Sequence, residues 1–327
     1  MDVGQAAIAG RYVRFADEEA RGRSPLYEAI CRGVAGDDAV LEFLETLPAA
    51  KQQPNLLLAA VRHAAGTPAD WAAFRTSLLA HADAVRGVML SRATQTNEPA
   101  RCAVLLPVLA GLPPPLALIE VGASAGLCLL PDRYGYDYGG GRTLGVMDGT
   151  APVFRCAVDA RVPVPSSVPR IVWRAGLDLS PIDAADPDQA AWLETLVWPE
   201  QTERLDRLRL ALRIVGAERP RIVSGDLLGD ALERLCAEAP RDATLVVFHT
   251  AVVAYLADRA DRARFASTVQ SLCPYWISNE SPRVFPRVAD AAGRSPEPGR
   301  FLLSVNGAPV AWTDPHGASV TWIGDRP

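Results

Sequence analysis

The residues best able to do chemistry lie together at Glu120-Val-Gly-Ala-Ser-Ala-Gly126, where the apolar run Leu116–Val121 ends. Glycines at Gly122 and Gly126 permit a sharp turn and let a ligand approach the backbone. Several chemistries use such a loop, and spacing separates them. Dinucleotide binding wants GxGxxG, but the second and third glycine positions hold Ser124 and Leu127. A phosphate loop wants a GK[ST] ending, which this run does not have. The nucleophile elbow GxSxG matches literally, with Ser124 as nucleophile and His249 or His316 as base. Against an elbow, the preceding region reads as helical and carries no HGGG-type oxyanion segment. The third chemistry is binding of S-adenosylmethionine. Glu120 at the strand end organises the turn, and its charge favours a ligand with an ammonium and a sulfonium. Gly122, Ala123, Ser124 and Gly126 then wrap the donor's amino-acid end.

Other strand ends supply further polar groups. A carboxylate closing the second strand suits two vicinal ribose hydroxyls. Asp178 in RAGLDLSPID is the expected residue, with Asp148 in VMDG as the alternative. Asp226 in SGDLL can accept from an adenine amino group while the backbone N–H of Leu227 serves the ring. Ligands in open α/β sheets bind at the carboxyl ends of strands, so His249 after ATLVVF is expected to face the reaction site. Asn279 and Glu280 close the next strand, Glu280 as a general base or substrate anchor and Asn279 as a substrate contact. Upstream, the polar cluster Thr94–Glu98 is expected to close over cofactor or substrate through Asn97 and Glu98.

These residues need a scaffold. Residues 1–112 read as a helical cap domain, with proline openings at Pro54 and Pro68. One long helical segment is expected from Pro68 to Arg92, and Asn97 is expected to cap the next helix, which Pro107 kinks or ends. Residues 113–327 read as an α/β domain. Short apolar runs at Leu116–Val121, Arg170–Trp173, Arg221–Val223, Thr244–His249 and Tyr275–Ser278 alternate with helical stretches, which implies a mostly parallel sheet. An apolar helix is expected after the glycine loop. Residues 134–169, rich in glycine and proline, read as an irregular or hairpin insertion, and 282–298 as a loop. FLLSV, APVAW and ASVTWI, joined at Asn306-Gly307 and Asp314–Gly317, predict three antiparallel strands at the end.

Composition narrows the function. With 327 residues, 49% hydrophobic and 22% charged, the chain suits two globular domains. A net charge of −5 disfavours general nucleic-acid or membrane-surface binding. Six cysteines without CxxC spacing read as buried hydrophobes in a reducing compartment, and no metal site is expected. No leader pattern or spanning run stands out, so a cytoplasmic protein is expected.

LIEVGASAGLCLLPDRYGYDYG, RAGLDLSPID, LVWPEQTERLDRLR, SGDLL and LVVFHTAVVAYL, with SPLYEAI and TQTNEPAR upstream, together resemble the bacterial domain of unknown function 2332 family. The resemblance covers nearly the whole chain. It implies a Rossmann-like class I methyltransferase fold with S-adenosylmethionine as ligand and S-adenosylhomocysteine as product, and it implies no particular acceptor. Ser124 departs from common methyltransferase loops, which carry a glycine there. The expected function is methyl transfer to a small molecule. The alternatives are a non-catalytic binding or regulatory protein and a Ser124 hydrolase.

Overall fold

A computed structural model describes residues 3–95 and 97–323. Twelve α-helices occur among them. They are α1 Val3–Phe15, α2 Pro25–Ala35, α3 Asp38–Glu45, α4 Pro54–Ala65, α5 Trp71–Ala80 and α6 Ala82–Ser91, then α7 Arg101–Leu109, α8 Pro187–Leu196, α9 Thr202–Glu218, α10 Ala231–Glu238, α11 Arg259–Leu272 and α12 Pro286–Ala292. The strands are β1 Leu116–Val121, β2 Gly135–Asp137, β3 Thr143–Gly145, β4 Val153–Arg155, β5 Ala157–Val158 and β6 Ile171–Asp178. They continue with β7 Arg221–Ser224, β8 Thr244–Thr250, β9 Tyr275–Glu280, β10 Phe301–Val305, β11 Ala308–Thr313 and β12 Ser319–Trp322.

The chain divides into two compact units, Met1–Thr96 with Pro187–Leu205, and Asn97–Asp186 with Asp206–Pro327. The division falls before α7, where the sequence reading placed a boundary at 112/113. The first unit is helical. Pro54 opens α4 as expected, and Asp70 caps α5 through the N–H of Ala73. The expected long helix is two, α5 and α6, because the chain leaves helical geometry at His81 (φ −119°, ψ 27°). Residues 187–205 belong to this unit through specific contacts. Trp198 packs against Phe15 and Tyr27 and donates to Asn55, and Arg62 donates to the carbonyl of Thr195. Glu200 accepts from Ser24 Oγ and the N–H of Leu26.

The second unit is built on a nine-stranded sheet of order β5-β12-β11-β10-β9-β8-β1-β6-β7. The strands β7, β6, β1, β8 and β9 are parallel neighbours. β10, β11 and β12 continue antiparallel from β9, joined at Asn306-Gly307 (φ 51° and 80°) as the turn chemistry requires. The sheet is thus mostly parallel within a mixed α/β architecture. Residues in register share a face. Glu120 pairs with Phe248, and Val121 with His249. Ile119, Val121 and Val247 therefore point into the core formed with Leu232 and Leu235 of α10 and Phe265 and Val269 of α11. Leu118, Glu120, Phe248 and Thr250 point to the opposite face, where Arg101 of α7 bonds to Thr250.

Four local expectations are corrected. No α-helix follows the glycine loop. Only four residues separate Gly126 from Pro131, and the chain makes two short 3-10 turns, Leu127–Leu129 and Pro131–Arg133. The insertion is an ordered three-stranded sheet, β3-β2-β4, with Tyr134, Tyr136 and Tyr138 buried and donating to the carbonyls of Leu127, Pro131 and Ala103. The last bond explains how Pro107 is tolerated inside α7: it lacks the N–H that would bond the Ala103 carbonyl, and Tyr138 supplies a hydroxyl instead. Asn97 is not a helix cap, since Ala100 stands at that position without a side-chain cap. The 282–298 segment is not all loop, because Pro286 opens α12.

Candidate functional site

Strand order reverses direction beside β1: the chain goes from β1 outward to β6 and β7, then returns to β8 on the other side. Such a switch point leaves a crevice at the carboxyl ends of the two central strands. The glycine loop lies there. Gly122 (φ 75°), Ser124 (φ 50°) and Gly126 (φ 77°) are left-handed. A side chain on Gly122 would place its Cβ 2.5 Å from Val252 of the loop after β8, so this glycine is required for close approach as well as for its φ. β6 holds the loop from the other side. The carbonyl of Leu177 accepts from Gly122 and Ala123, and Asp178 Oδ2 accepts the Ser124 N–H at 2.8 Å. Gly176 leaves room for Ala123, whose Cβ lies 2.6 Å from where a side chain would begin.

Glu120 lies beneath this loop, 4% exposed, and its Oε2 has no hydrogen-bond partner. Burial pushes its carboxyl well above the usual range. Cys128 and Asp178 push the same way, and the Arg101 charge opposes them. On the same face, Arg101 is 5% exposed. It donates to Pro315 O at 2.8 Å and to Thr250 O and Oγ1 at 3.2 and 3.3 Å. Thr250 is in register with Asn279 of β9. Asn279, fully buried, accepts from Thr313 Oγ1 at 2.7 Å, and its Nδ2 is unpartnered. Asn97 Nδ2 is likewise buried without a partner. Strand ends, the 314–317 turn and the start of α7 thus carry buried polar groups: the Arg101 cation, the acids Glu120 and Glu98, and unused amide donors on Asn279 and Asn97.

His249 and Glu280 lie on the opposite face. They pair with each other, His249 Nδ1 to Glu280 Oε1 at 2.8 Å, and are 0% and 2% exposed. Phe265, Trp276 and Phe285 surround the imidazole. Glu280 Oε1 also accepts the N–H groups of Val252 and Val253, each at 2.9 Å. Three donors converging on one carboxylate oxygen make Nδ1 the protonated nitrogen. The pair braces the loop after β8, in which Ala251 is held at φ 57°.

The residues expected from sequence are therefore sorted. Glu120, Gly122, Ala123, Ser124, Gly126 and Asp178 come together. Asp178 spends Oδ2 on Ser124 and Oδ1 on the N–H of Ser180, and a carboxylate so placed keeps further lone pairs for a ligand. Asp148 lies beyond β3 of the small sheet, bonded to Thr150, and not at a strand end of the large sheet. Asp226 is exposed and turned onto the N–H of Leu228, while Leu227 packs against the core. Glu98 is buried, accepts from Ala100, and lies 3.7 Å from His316. Of the Thr94–Glu98 run, Thr96 lies outside the described residues. Arg101, Thr250 and Thr313 were not expected. The signal for Arg101 was one charge opening the otherwise apolar RCAVLLPVL, whose residues are all buried.

Among the described residues there is no cluster of metal-ligating side chains, and no helix is long and apolar enough to cross a membrane. All six cysteines are free thiols. A separate cleft of about 320 Å³, lined by residues such as Pro107, Gly111, Pro163, Val305, Val310 and Trp322, is mostly apolar. Comparison with curated proteins and with solved structures gives no match. A family model does match, over residues 9–322, and the chain belongs to that family, described as uncharacterized protein conserved in bacteria (DUF2332).

Proposed function

We propose that this chain is an S-adenosylmethionine-dependent methyltransferase with a Rossmann-like class I sheet, acting on a small-molecule acceptor. The order β7-β6-β1-β8-β9 supports this, being the 3-2-1-4-5 order of nucleotide-binding α/β sheets with the glycine loop at its switch point. The observation that carries the reading is the unpartnered, deeply buried Oε2 of Glu120. An acid in such a place is costly unless a ligand's cationic group partners it. The donor's ammonium and sulfonium supply that charge. Asp178, ending the second parallel strand, would hold the ribose, and the Gly122–Gly126 backbone would pass along the amino-acid end. The loop after β7, at Asp226 and Leu227, would border the adenine. Because short 3-10 turns follow the loop, a helix dipole plays no part, and the acidic side chains carry the recognition.

The test is calorimetric titration of the full chain with S-adenosylmethionine and S-adenosylhomocysteine. Saturable binding of both is expected. A folded sample that binds neither would sink the reading.

A further inference from the structure

We propose that the methyl acceptor is a carboxylate and the product its methyl ester. The inference rests on the donor reading above and names the acceptor for the same site. It begins from the buried polar groups beside Glu120. Arg101 is 5% exposed, and its hydrogen bonds go to the carbonyls of Pro315 and Thr250 and to the Thr250 hydroxyl. Among the described residues it forms no ion pair with a carboxylate. No carboxylate lies within ion-pair distance of this guanidinium, and Glu120 acts on it only from farther off, so direct contact with an anion is open to it. Asn279 stands beside Thr250 in register. Its orientation is settled by Thr313: the hydroxyl donates to Oδ1, so the NH₂ group points the other way, and no protein atom accepts from it. Asn97 Nδ2 is a second unused donor on the segment leading into α7.

A guanidinium bonded to Thr250 and the Asn279 amide beside that residue favour an oxyanion over an amine. A planar two-oxygen group matches the guanidinium fork. One arginine balances one charge, whereas a phosphate monoester carries about −1.5 to −2 and would leave an excess.

The second strand of the argument concerns the proton. Two of the three candidate bases, His249 and Glu280, face the opposite side of the sheet, bound to each other and to the Val252 and Val253 amides, and the third, His316, is exposed on the 314–317 turn beside Glu98. A phenol, alcohol or ammonium acceptor must lose a proton during transfer; a carboxylate need not. Its oxygen lone pair forms the O–CH₃ bond, the C–S bond breaks with its electron pair remaining on sulfur, and the sulfonium becomes a neutral thioether. The carboxylate and sulfonium charges cancel, and no proton moves.

The experiment uses the full chain with methyl-tritiated S-adenosylmethionine and the anion-exchange-retained fraction of a bacterial small-molecule extract. The expected product releases its label as volatile methanol on mild alkaline treatment. Alkali-stable label, or no transfer from that fraction by protein that binds the donor, overturns the proposal. Failure to bind the donor instead overturns the reading beneath it. Asn279→Asp keeps the acceptor for Thr313 and places a negative charge against the substrate. Acceptor KM should rise about tenfold or more with donor affinity unchanged. With donor saturating, the wild-type kcat/KM for the acceptor should be flat between about pH 6 and 9, because no base must ionise to take a proton from the acceptor. A rise centred in the histidine range would overturn the proton-free step.

Discussion

Replacing Glu120 by glutamine removes a charge and almost no volume from a site that is 4% exposed. In the free protein, burial raises the Glu120 carboxyl well above its ordinary 4.5. The folded state therefore holds this proton more tightly than the unfolded state. The associated stability is fully present below about pH 4.5 and is lost as pH rises through the folded pKa, at up to about 1.4 kcal/mol per pH unit. Glu120→Gln lacks that slope, so it should match the wild type in acid and exceed its stability above this window. Donor binding has the opposite sign. A cationic group on Glu120 needs the ionised form, so wild-type affinity should climb about tenfold per pH unit across the same window and then flatten. Calorimetry in two buffers of different ionisation enthalpy should record release of up to one proton per site. The glutamine variant should release none and bind about tenfold to a hundredfold more weakly, the range for a hydrogen bond to a charged group. Unchanged affinity with unchanged proton release would refute the assignment of Glu120 to the ligand.

Gly122→Ala adds a left-handed backbone penalty of about 1–2 kcal/mol. It also adds a Cβ 2.5 Å from Val252, an overpacking of about 1–3 kcal/mol. Gly139→Ala has nearly the same φ (74°) with nothing within 4 Å, so in thermal melts it should show the backbone share alone. Asp178→Ala strands the N–H groups of Ser124 and Ser180 and should weaken both stability and donor binding, by about 1–3 kcal/mol each. Donor affinity unchanged in calorimetry would move the ribose role elsewhere. Glu280→Ala removes the acceptor shared by His249, Val252 and Val253 and should destabilise by about 3–5 kcal/mol in chemical denaturation, while Glu280→Gln, which keeps one oxygen, should lose less.

The five parallel strands were legible because each carries a short apolar run, buried throughout in β1 and mostly so in β8 and β9, and the antiparallel end because Asn306-Gly307 specifies its turn. What escaped was mostly non-local. The helix expected after Gly126 failed on Pro131, a local signal outweighed by the strand–loop–helix habit of such sheets. The tyrosine bond that rescues Pro107 comes from the inserted sheet, which reads in the sequence as an irregular or hairpin insertion. His249 was placed in the crevice because it ends a strand, but a strand end does not settle a face. Alternation does: in register with Val121, His249 belongs to the core side, and Thr250 to the side of Glu120. Arg101 became meaningful only once Thr250 and Pro315 were beside it.

Ser124 shows how these contacts bear on two chemistries that share one motif. Read as GxSxG, the loop would be an elbow, and its left-handed Ser124 fits that description. An elbow, however, delivers its serine at a strand-to-helix turn with a histidine in reach. Here the strand leads into a 3-10 turn, and the two expected bases, His249 and His316, pair with Glu280 and Glu98. The strain at Ser124 has another origin. Asp178 holds its N–H toward β6, while Val252, held by Glu280, fills the space beside Gly122 on the β8 side. Three neighbouring strands thus shape one loop, and the residues first assigned to proton transfer are those that hold its outer wall. Bases that serve as framework agree with the proposed transfer, which moves a methyl group and leaves every proton in place.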